Sequence, residues 1–276
     1  MTTAPNAEQR ARWNGPSGTA WTEYAEHFER GYADYDAAYL AAVDARAEDL
    51  VLDVGSGPGA LALRIATTAR RVVGVDVSAP LVDLARRRAQ AAGRDNAIFV
   101  AADAQVDPPD EGPFDVVVSH FGSMFFDDSV AAFTSLCRAL RPGGRLVLLT
   151  WQGPERNPWQ VEVLRALHPD QEAPIPPTDG PSPFGLSDAA RVRSVLGAAG
   201  FVDVELEDLR APHWSGADPD DAVRFTVTHN AAVLDGYDEA ARRRALDRLR
   251  ALFEAHHTRD GVLFDSATWL VRARRP

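Results

Sequence analysis

Short apolar runs alternate with segments of helical periodicity through the first half of the chain. The apolar runs are continuous, which is typical of strands buried on both faces of a sheet. The intervening segments repeat apolar residues every three or four positions, and one of them has Pro80 in its first turn and Gly93 at its end. The predicted strands are DLVLDVG from Asp49, RVVGVDVS from Arg71, AIFVAAD from Ala97, FDVVVSHF from Phe114 and RLVLLTW from Arg145.

This order of elements predicts an α/β fold with a doubly wound, Rossmann-like parallel sheet, because strands and helices alternate with short links. Helical spacing from Ala20 to about Ala47 predicts two helices before the sheet. The proline-rich, aperiodic stretch Gly153–Gly185 contains one predicted short helix and is typical of a lid or binding loop. The remaining predicted elements are a helix with Ser187 as N-cap, a strand from Phe201, a helical region over about Asp218–His257 and a last strand from Leu263.

Composition narrows the classes of function. The chain has 276 residues, a hydrophobic fraction of 45% and a formal net charge of −11. Because such a surface repels phosphates, we expect no nucleic-acid partner and no anionic-membrane partner, although a local basic patch could exist. We also expect no membrane insertion. No apolar run reaches membrane-spanning length and the first residues lack a hydrophobic core, so we expect a cytoplasmic, soluble protein. The single cysteine, Cys137, excludes a disulfide within the chain. The composition leaves open whether the chain forms a homodimer.

The first predicted strand runs into a glycine-rich turn, Asp53 to Gly59, with the sequence DVGSGPG. Such a turn lets a ligand approach the backbone, and the helix that follows offers free N–H groups. Two ligand classes use it: dinucleotides, through their pyrophosphate, and S-adenosylmethionine. The glycines fit G-x-G-x-x-A and G-x-G-x-G equally well, so by themselves they do not distinguish these ligands.

Three carboxylates at predicted strand ends favour S-adenosylmethionine. Asp53 would repel a pyrophosphate and suits an ammonium group beside a sulfonium. Asp76 can accept hydrogen bonds from both ribose hydroxyls, a feature that both ligand classes share. Asp103 can accept from the adenine amino group, and Ala104 can supply a backbone N–H. Each carboxylate alone could be a helix N-cap; together they predict an adenosine along the carboxyl edge of the sheet.

The successive motifs resemble those of class I S-adenosylmethionine-dependent methyltransferases. The resemblance is dense from Glu48 to Trp151 and is greatest to the small-molecule branch that includes the ubiquinone and menaquinone biosynthesis methyltransferases. It implies a seven-stranded sheet whose last strand is antiparallel, and S-adenosylmethionine as cofactor. The motifs that carry it are VLDVGSGPG, VVGVDVSAPLVDLAR, FVAADAQ, FDVVVSHFGSMFFDD and ALRPGGRLVLLTW, with WNGPSGTAW, NPW and ATWLVRARRP outside this range.

Matching the family motifs residue by residue implies a cofactor site. One position departs from the pattern, since the family commonly has an arginine where this chain has His120. The implied cofactor-binding residues are Asp53, Gly55, Ser56, Gly57 and Gly59 in the turn, Asp76, Val77 and Ser78 after the second strand, Asp103 and Ala104 after the third, and Ser119 and Phe121 around the end of the fourth.

The fold and the resemblance together divide the chain into five segments. These are an N-terminal helical lid (1–47), the S-adenosylmethionine-binding core (48–151), a variable substrate loop with one helix and one strand of the core (152–217), a helical cap insertion (218–260) and the final core strand (261–276).

His120 is the candidate catalytic residue, because it ends the fourth strand and an imidazole titrates near neutral pH. It could equally hydrogen-bond the cofactor or pack in the core. A general base is needed only when the acceptor loses a proton on attack, as a phenol or enol does and a neutral amine does not. His213 and His229 are alternative bases with a more structural character. No metal-ligand spacing is present, so we expect no metal.

Aromatic residues supply the predicted acceptor pocket. Trp21 is assigned to the cofactor, where its ring can steady a sulfonium through a cation–π contact. Phe125, Trp151, Trp159 and His229 are assigned to the methyl acceptor, which we expect to be a small molecule. The same rings could instead form the core of the cap.

Two other functions remain open. A nicotinamide-dependent oxidoreductase would need a pyrophosphate beside Asp53 and a catalytic Tyr/Lys or similar pair, whereas the chain has no lysine. A protein of the same fold could also use the cofactor pocket for cyclisation or regulatory binding without methyl transfer.

Overall fold

A sheet of seven long strands forms the centre of the molecule. The computed structural model describes residues 6–106 and 108–276. The strands are β1 (Leu50–Val54), β2 (Arg71–Asp76), β3 (Ala97–Ala101), β4 (Phe114–His120), β5 (Leu140–Trp151), β6 (Val202–Gly216), the two-residue β7 (His257–Thr258) and β8 (Gly261–Arg274).

The strand order is β3-β2-β1-β4-β5-β8-β6, and β7 pairs with the start of β8. Neighbours from β3 to β5 are parallel, whereas β8 runs antiparallel to both β5 and β6. The predicted fold class, including the antiparallel last strand, is therefore confirmed. All five residues of β1 are buried, as expected for a central strand covered on both faces.

Helices lie before, between and after the strands. Helix α3 packs against β6, and α11 packs against α7. Single turns of 3₁₀ helix occur at Ser123–Phe125 and Pro154–Arg156. The α-helices are α1 (Ala7–Trp13), α2 (Pro16–Glu23), α3 (Ala25–Val43), α4 (Ala60–Ile65), α5 (Ala79–Ala91), α6 (Ser129–Ala139), α7 (Pro158–Leu167), α8 (Ala189–Ala198), α9 (Pro219–His229), α10 (Ala231–Asp235) and α11 (Glu239–Ala255).

The region before the sheet contains three helices, so the prediction of two was wrong. Pro16 occupies the first turn of α2 and separates it from α1, because proline is favoured at a helix start and not in its interior. Residues 1–5 of the predicted lid lie outside the described residues.

The N-cap of α8 also differs from the prediction. It is Asp188, not Ser187, whose side chain accepts a hydrogen bond from the Arg191 backbone N–H at 2.6 Å. The cap is set by which side chain reaches the third N–H of the helix, and a one-residue shift places the carboxylate there.

Two apolar cores hold these elements together. The larger one joins the sheet to its flanking helices. A second core joins α7, α9, α10 and α11 to the start of β8, and its buried members are Ala166, Leu167, Ala222, Leu234, Ala245, Leu249, Phe253, Val262 and Phe264. Helices α9 to α11 therefore pack as one layer beside the sheet. No helix within the described ranges combines the length and the apolarity needed to span a bilayer.

Candidate functional site

A cavity of about 600 Å³ lies at the carboxyl ends of β1 to β4. Its walls come from α1–α3, the glycine turn, the residues after β4, the proline-rich segment, and α7 and α9. Its volume is in the range of small-molecule sites, and the carboxyl edge is where doubly wound sheets bind ligands.

The cavity brings together most of the residues predicted from the sequence. Gly59, Ser78 and Ser119 are the predicted residues that are not part of its wall. The wall includes Trp21, Asp53, Gly55, Ser56, Gly57, Asp76, Val77, Asp103, Ala104, His120, Phe121, Phe125, Trp151, Trp159 and His229.

The three residues off the wall have structural contacts. The Ser119 hydroxyl donates to the Val54 carbonyl at 2.8 Å and accepts from the Ser123 N–H at 3.0 Å, which ties β4 to β1. Ser78 is fully buried. Gly59 has φ of +83° and begins α4, where an added Cβ would lie 2.8 Å from the Phe99 ring. Close packing therefore explains this glycine without a ligand.

Asp53 is a buried carboxylate at the end of β1, 2% exposed. Its Oδ2 has no hydrogen-bond partner among the described residues. Burial, and then the negative charge of Asp76, raise the pKa of Asp53 to about 7. A buried carboxylate without a partner is costly, so this atom is a position where a cationic ligand group would be stabilised.

Asp76, at the end of β2, organises the glycine turn. Its Oδ2 accepts from the Gly57 N–H at 2.8 Å and its Oδ1 from the Ser78 N–H at 2.8 Å. Gly57 has φ of +51°, and a Cβ there would meet no atom within 4 Å, so the backbone is open to a ligand. Burial raises the pKa of Asp76, which its backbone hydrogen bonds partly offset.

Asp103 lies under the N-terminal helices. Its Oδ1 accepts from the Gln105 N–H at 3.0 Å and its Oδ2 from the Asn6 side-chain amide at 3.1 Å. Asn14 fixes the same region, because its amide donates to the Val77 carbonyl at 2.8 Å and its oxygen accepts from the Ala79 N–H at 3.0 Å. The α1 region thus reaches two of the three predicted adenosine-binding strand ends.

His120 sits between the sheet and α3. Its Nε2 lies 3.5 Å from Asp36 Oδ1, and its ring contacts Tyr39 edge-on at 5.0 Å between centroids. Asp36 is also paired with Arg64. Burial, and then the positive charge of Arg64, lower the pKa of His120 to about 3. The imidazole is therefore neutral near pH 7 and weakly basic, which favours a contact role over proton abstraction.

A chain of rings extends from the end of β4 across the cavity. Phe121 stacks on Trp151 at 4.3 Å between centroids, and Trp159 lies 5.0 Å from Trp151. Trp159 in turn stacks on His213 at 4.2 Å, and His229 stacks on Phe225 at 5.9 Å. The predicted acceptor residues Trp151 and Trp159 are thus in mutual contact.

The remaining predicted aromatics lie nearer the N-terminal helices. Trp21 stacks on Phe28 at 3.9 Å between centroids, and Phe125 meets Trp13 edge-on at 5.3 Å. Both predicted residues line the cavity.

Sequence reasoning missed several wall residues on α3 and α7. Glu29, Tyr32 and Asp36 line the cavity from α3. Their spacing of three and four places them on one helical face, and this was a signal that the sequence contained. Gln160 on α7 and Asn6 are also on the wall and carried no sequence signal. His213, interpreted as structural, lines the cavity as well.

Metal coordination has no visible basis in residues 6–106 and 108–276, where no group of three or more His, Cys, Asp and Glu side chains is placed to hold an ion. The expectation of a metal-free site stays a prediction.

Known proteins resemble this chain in sequence and in fold. A family profile described as a methyltransferase domain matches residues 51–144. The demethylmenaquinone methyltransferase of Thermus thermophilus is 40% identical over 114 residues, which cover 41% of this chain and 51% of that enzyme. The chain thus spans about half the length of that relative.

Two further similarities extend beyond the core. Nocamycin O-methyltransferase of Saccharothrix syringae is 34% identical over 194 residues, covering 63% of this chain and 68% of that protein. The crystal structure of the YcgJ protein of Bacillus subtilis has a similar fold, with a TM-score of 0.60 and 19% identity, and the superposition covers 87% of this chain and 97% of that one.

Proposed function

Because the chain belongs to the class I S-adenosylmethionine-dependent methyltransferase family, we propose that it binds S-adenosylmethionine and methylates a small-molecule acceptor. One observation carries the proposal. Asp53, Asp76 and Asp103 lie at or just beyond the ends of three neighbouring strands and line one cavity, and Asp53 has a buried oxygen without a partner among the described residues. This set of carboxylates matches the cationic and hydroxyl groups of that cofactor.

The residues present fit the cofactor. Asp53 would hold the ammonium group, and Asp76 would accept from the ribose hydroxyls. Asp103 and the Ala104 N–H would hold the adenine, with Val77 beside it. Gly55, Ser56 and Gly57 would let the ligand lie against the backbone. When bound, the cofactor supplies an electrophilic methyl group on a sulfonium.

The protein's own part is alignment and the exclusion of water. The α1–α2 region would act as the lid over the site, since Asn6 and Asn14 fasten it to the ends of β3 and β2. Trp21 would lie against the sulfonium, and Phe121 and the neutral His120 would shape the donor end. The five-segment division of the chain is part of this proposal.

The acceptor would occupy the aromatic part of the cavity formed by Phe125, Trp151, Trp159 and His229. The named relatives are a demethylmenaquinone methyltransferase and a nocamycin O-methyltransferase. We accordingly place the acceptor among quinone-like or secondary metabolites.

Calorimetry with S-adenosylhomocysteine tests the cofactor assignment, with NAD as the matched ligand. S-Adenosylhomocysteine should bind and raise the melting temperature, and NAD should not, because Asp53 disfavours a pyrophosphate. Intact-mass detection of methylated product from a panel of acceptors then tests the activity. Tight cofactor binding without any methylated product would favour the non-methylating alternative, and tight NAD binding would contradict the proposal.

A further inference from the structure

Charge is distributed unevenly around the cavity wall. Every charged wall residue lies at or before Asp103 in the chain: Arg12, Glu29, Asp36, Asp53, Asp76 and Asp103. From Ala104 to Phe253 the described wall residues include no aspartate, glutamate or arginine. The later part of the wall, which holds the aromatic rings, is therefore electrically neutral apart from its histidines.

Three buried polar atoms in this neutral part have no hydrogen-bond partner among the described residues: His120 Nε2, Gln160 Oε1 and His213 Nδ1. His120 Nε2 faces Asp36 Oδ1 at 3.5 Å, which leaves Gln160 Oε1 and His213 Nδ1. His213 is 8% exposed and stacks on Trp159, the residue adjacent to Gln160. Buried polar atoms are nearly always hydrogen-bonded in folded proteins. Two such atoms on one cavity wall therefore indicate that a ligand completes them.

Both groups are suited to accept a hydrogen bond. Burial, and then the neighbouring His27, lower the pKa of His213 to about 3, against a backbone hydrogen bond at Gly31 that raises it. The ring is therefore neutral, with one donating and one accepting nitrogen. The amide oxygen of Gln160 is an acceptor in every protonation state. A ligand that satisfies them must present a donor, such as a hydroxyl group.

The chain of aromatic rings lies between these two atoms and the residues His120 and Phe121, which are proposed to shape the methyl-donor end of the cavity. Tyr32 is 5.8 Å from His213 and 6.4 Å from His120 between ring centroids. Trp151 is 6.1 Å from His213 and 4.3 Å from Phe121. Tyr32 and Trp151 therefore each contact His213 on one side and a residue at the end of β4 on the other.

We propose that the methyl acceptor is an uncharged planar molecule whose hydroxyl group is anchored by His213 and Gln160. This inference rests on the proposed methyltransferase function and specifies its substrate class. At His213 and Gln160 an anionic group would find no arginine, because Arg12, the one arginine on the described cavity wall, lies over the rings of Trp13 and Phe125. A cationic group would find no carboxylate there.

Three naphthalene probes test the inference on protein saturated with S-adenosylhomocysteine: 2-naphthol, 2-methoxynaphthalene and 2-naphthoate. Their dissociation constants are measured by ligand-observed NMR. Naphthol should bind about tenfold tighter than its methyl ether, which cannot donate, and naphthoate should bind most weakly. Equal binding of naphthol and ether, tightest binding of naphthoate, or no binding of naphthol at millimolar concentration would each overturn the inference.

Two variants assign the preference to the named residues. His213→Phe keeps a stacking ring and removes both nitrogens, and Gln160→Leu removes the amide at similar size. Each should reduce the preference for naphthol over its ether toward unity, while the affinity for S-adenosylhomocysteine is unchanged. His257→Phe, on the exposed β7, is the matched control.

These measurements distinguish a failure of the proposed methyltransferase function from a failure of the acceptor inference. If wild-type protein fails to bind S-adenosylhomocysteine, the proposed function fails. If it binds but both variants keep the full naphthol preference, only the acceptor inference fails. A loss of affinity that is equal for naphthol and ether would show that His213 and Gln160 shape the cavity without anchoring a hydroxyl.

Discussion

Asp53 and Asp76 face one cavity from the ends of adjacent parallel strands, and the charge of Asp76 helps to raise the pKa of Asp53 to about 7. Asp76 is tied to two backbone N–H groups, whereas Asp53 Oδ2 has no partner among the described residues. The pair thus has one carboxylate that orders the turn and one whose charge state depends on what binds beside it.

Cofactor affinity should therefore depend on pH. Below about pH 7 the ligand-free protein carries protonated Asp53, and an ammonium group would favour its ionised form, so binding releases a proton. The affinity for S-adenosylhomocysteine should fall by up to about tenfold per pH unit as the pH drops below 7. Calorimetry in buffers of different ionisation enthalpy measures the proton release. Asp53→Asn should bind weakly with a flat profile, and an equally steep profile in this variant would rule Asp53 out.

The raised pKa of Asp53 should also make the stability of the ligand-free protein depend on pH, in the opposite direction to cofactor binding. The contribution of Asp53 to stability is complete below its unfolded pKa near 4 and is lost as the pH rises to its folded pKa of about 7. The loss has an upper limit of roughly 4 kcal/mol. Ligand-free Asp53→Asn should therefore be more stable than wild type above pH 7 in urea unfolding. A variant that is less stable at pH 8 would contradict the burial argument.

Asp76→Ala should weaken S-adenosylhomocysteine binding by about 2–3 kcal/mol, the size of a lost charge-assisted hydrogen bond. Part of the loss would come from the turn, since Gly57 and Ser78 lose their acceptor. Calorimetry measures the affinity, and Asp83→Ala on the exposed face of α5 is the control. Unchanged affinity in Asp76→Ala would sink the ribose assignment.

Displacing α1 should open the lid. An added Cβ at Gly18 of α2 would lie 1.9 Å from the Trp13 carbonyl oxygen, so Gly18→Ala must move α1 away from its contacts at Asp103 and Val77. Turnover and S-adenosylhomocysteine affinity should both fall, while far-UV circular dichroism stays unchanged.

Gly197→Ala supplies the matched control for the lid. Gly197 lies in α8, and an added Cβ there meets no atom within 4 Å, so activity should be retained. Deletion of the residues before Trp21 is the stronger form of the experiment and should leave a folded protein without turnover. Full activity after either change at the N-terminus would show that this region is not a lid.

His120→Asn distinguishes three roles for the histidine. The lowered pKa predicts that the imidazole stays neutral from pH 6 to 9, so turnover should show no inflection from His120 in that range. We expect the variant to lose cofactor affinity and turnover together. A fall in turnover of roughly 10²–10⁴-fold with unaltered affinity would instead identify a general base. A loss of stability alone would identify a packing role.

The sequence by itself determined the sheet and the edge of the sheet at which the cavity lies. Continuous apolar runs can be buried only between two layers, so strands β1 to β5 followed from the local pattern. Glycines and carboxylates at strand ends do not suit a closed core, so the positions of Asp53, Asp76 and Asp103 followed from the same pattern. The antiparallel last strand and the family followed from the motifs, and both are confirmed.

Tertiary packing alone decided the rest of the site. Asn6 meets Asp103 across 97 positions, and His213 on β6 meets Trp159 on α7, because the chain returns to the cavity through elements that are far apart in sequence. Whether a histidine is a base or a neutral contact depends on its desolvation, which lowers the pKa of both His120 and His213 and which no local pattern encodes.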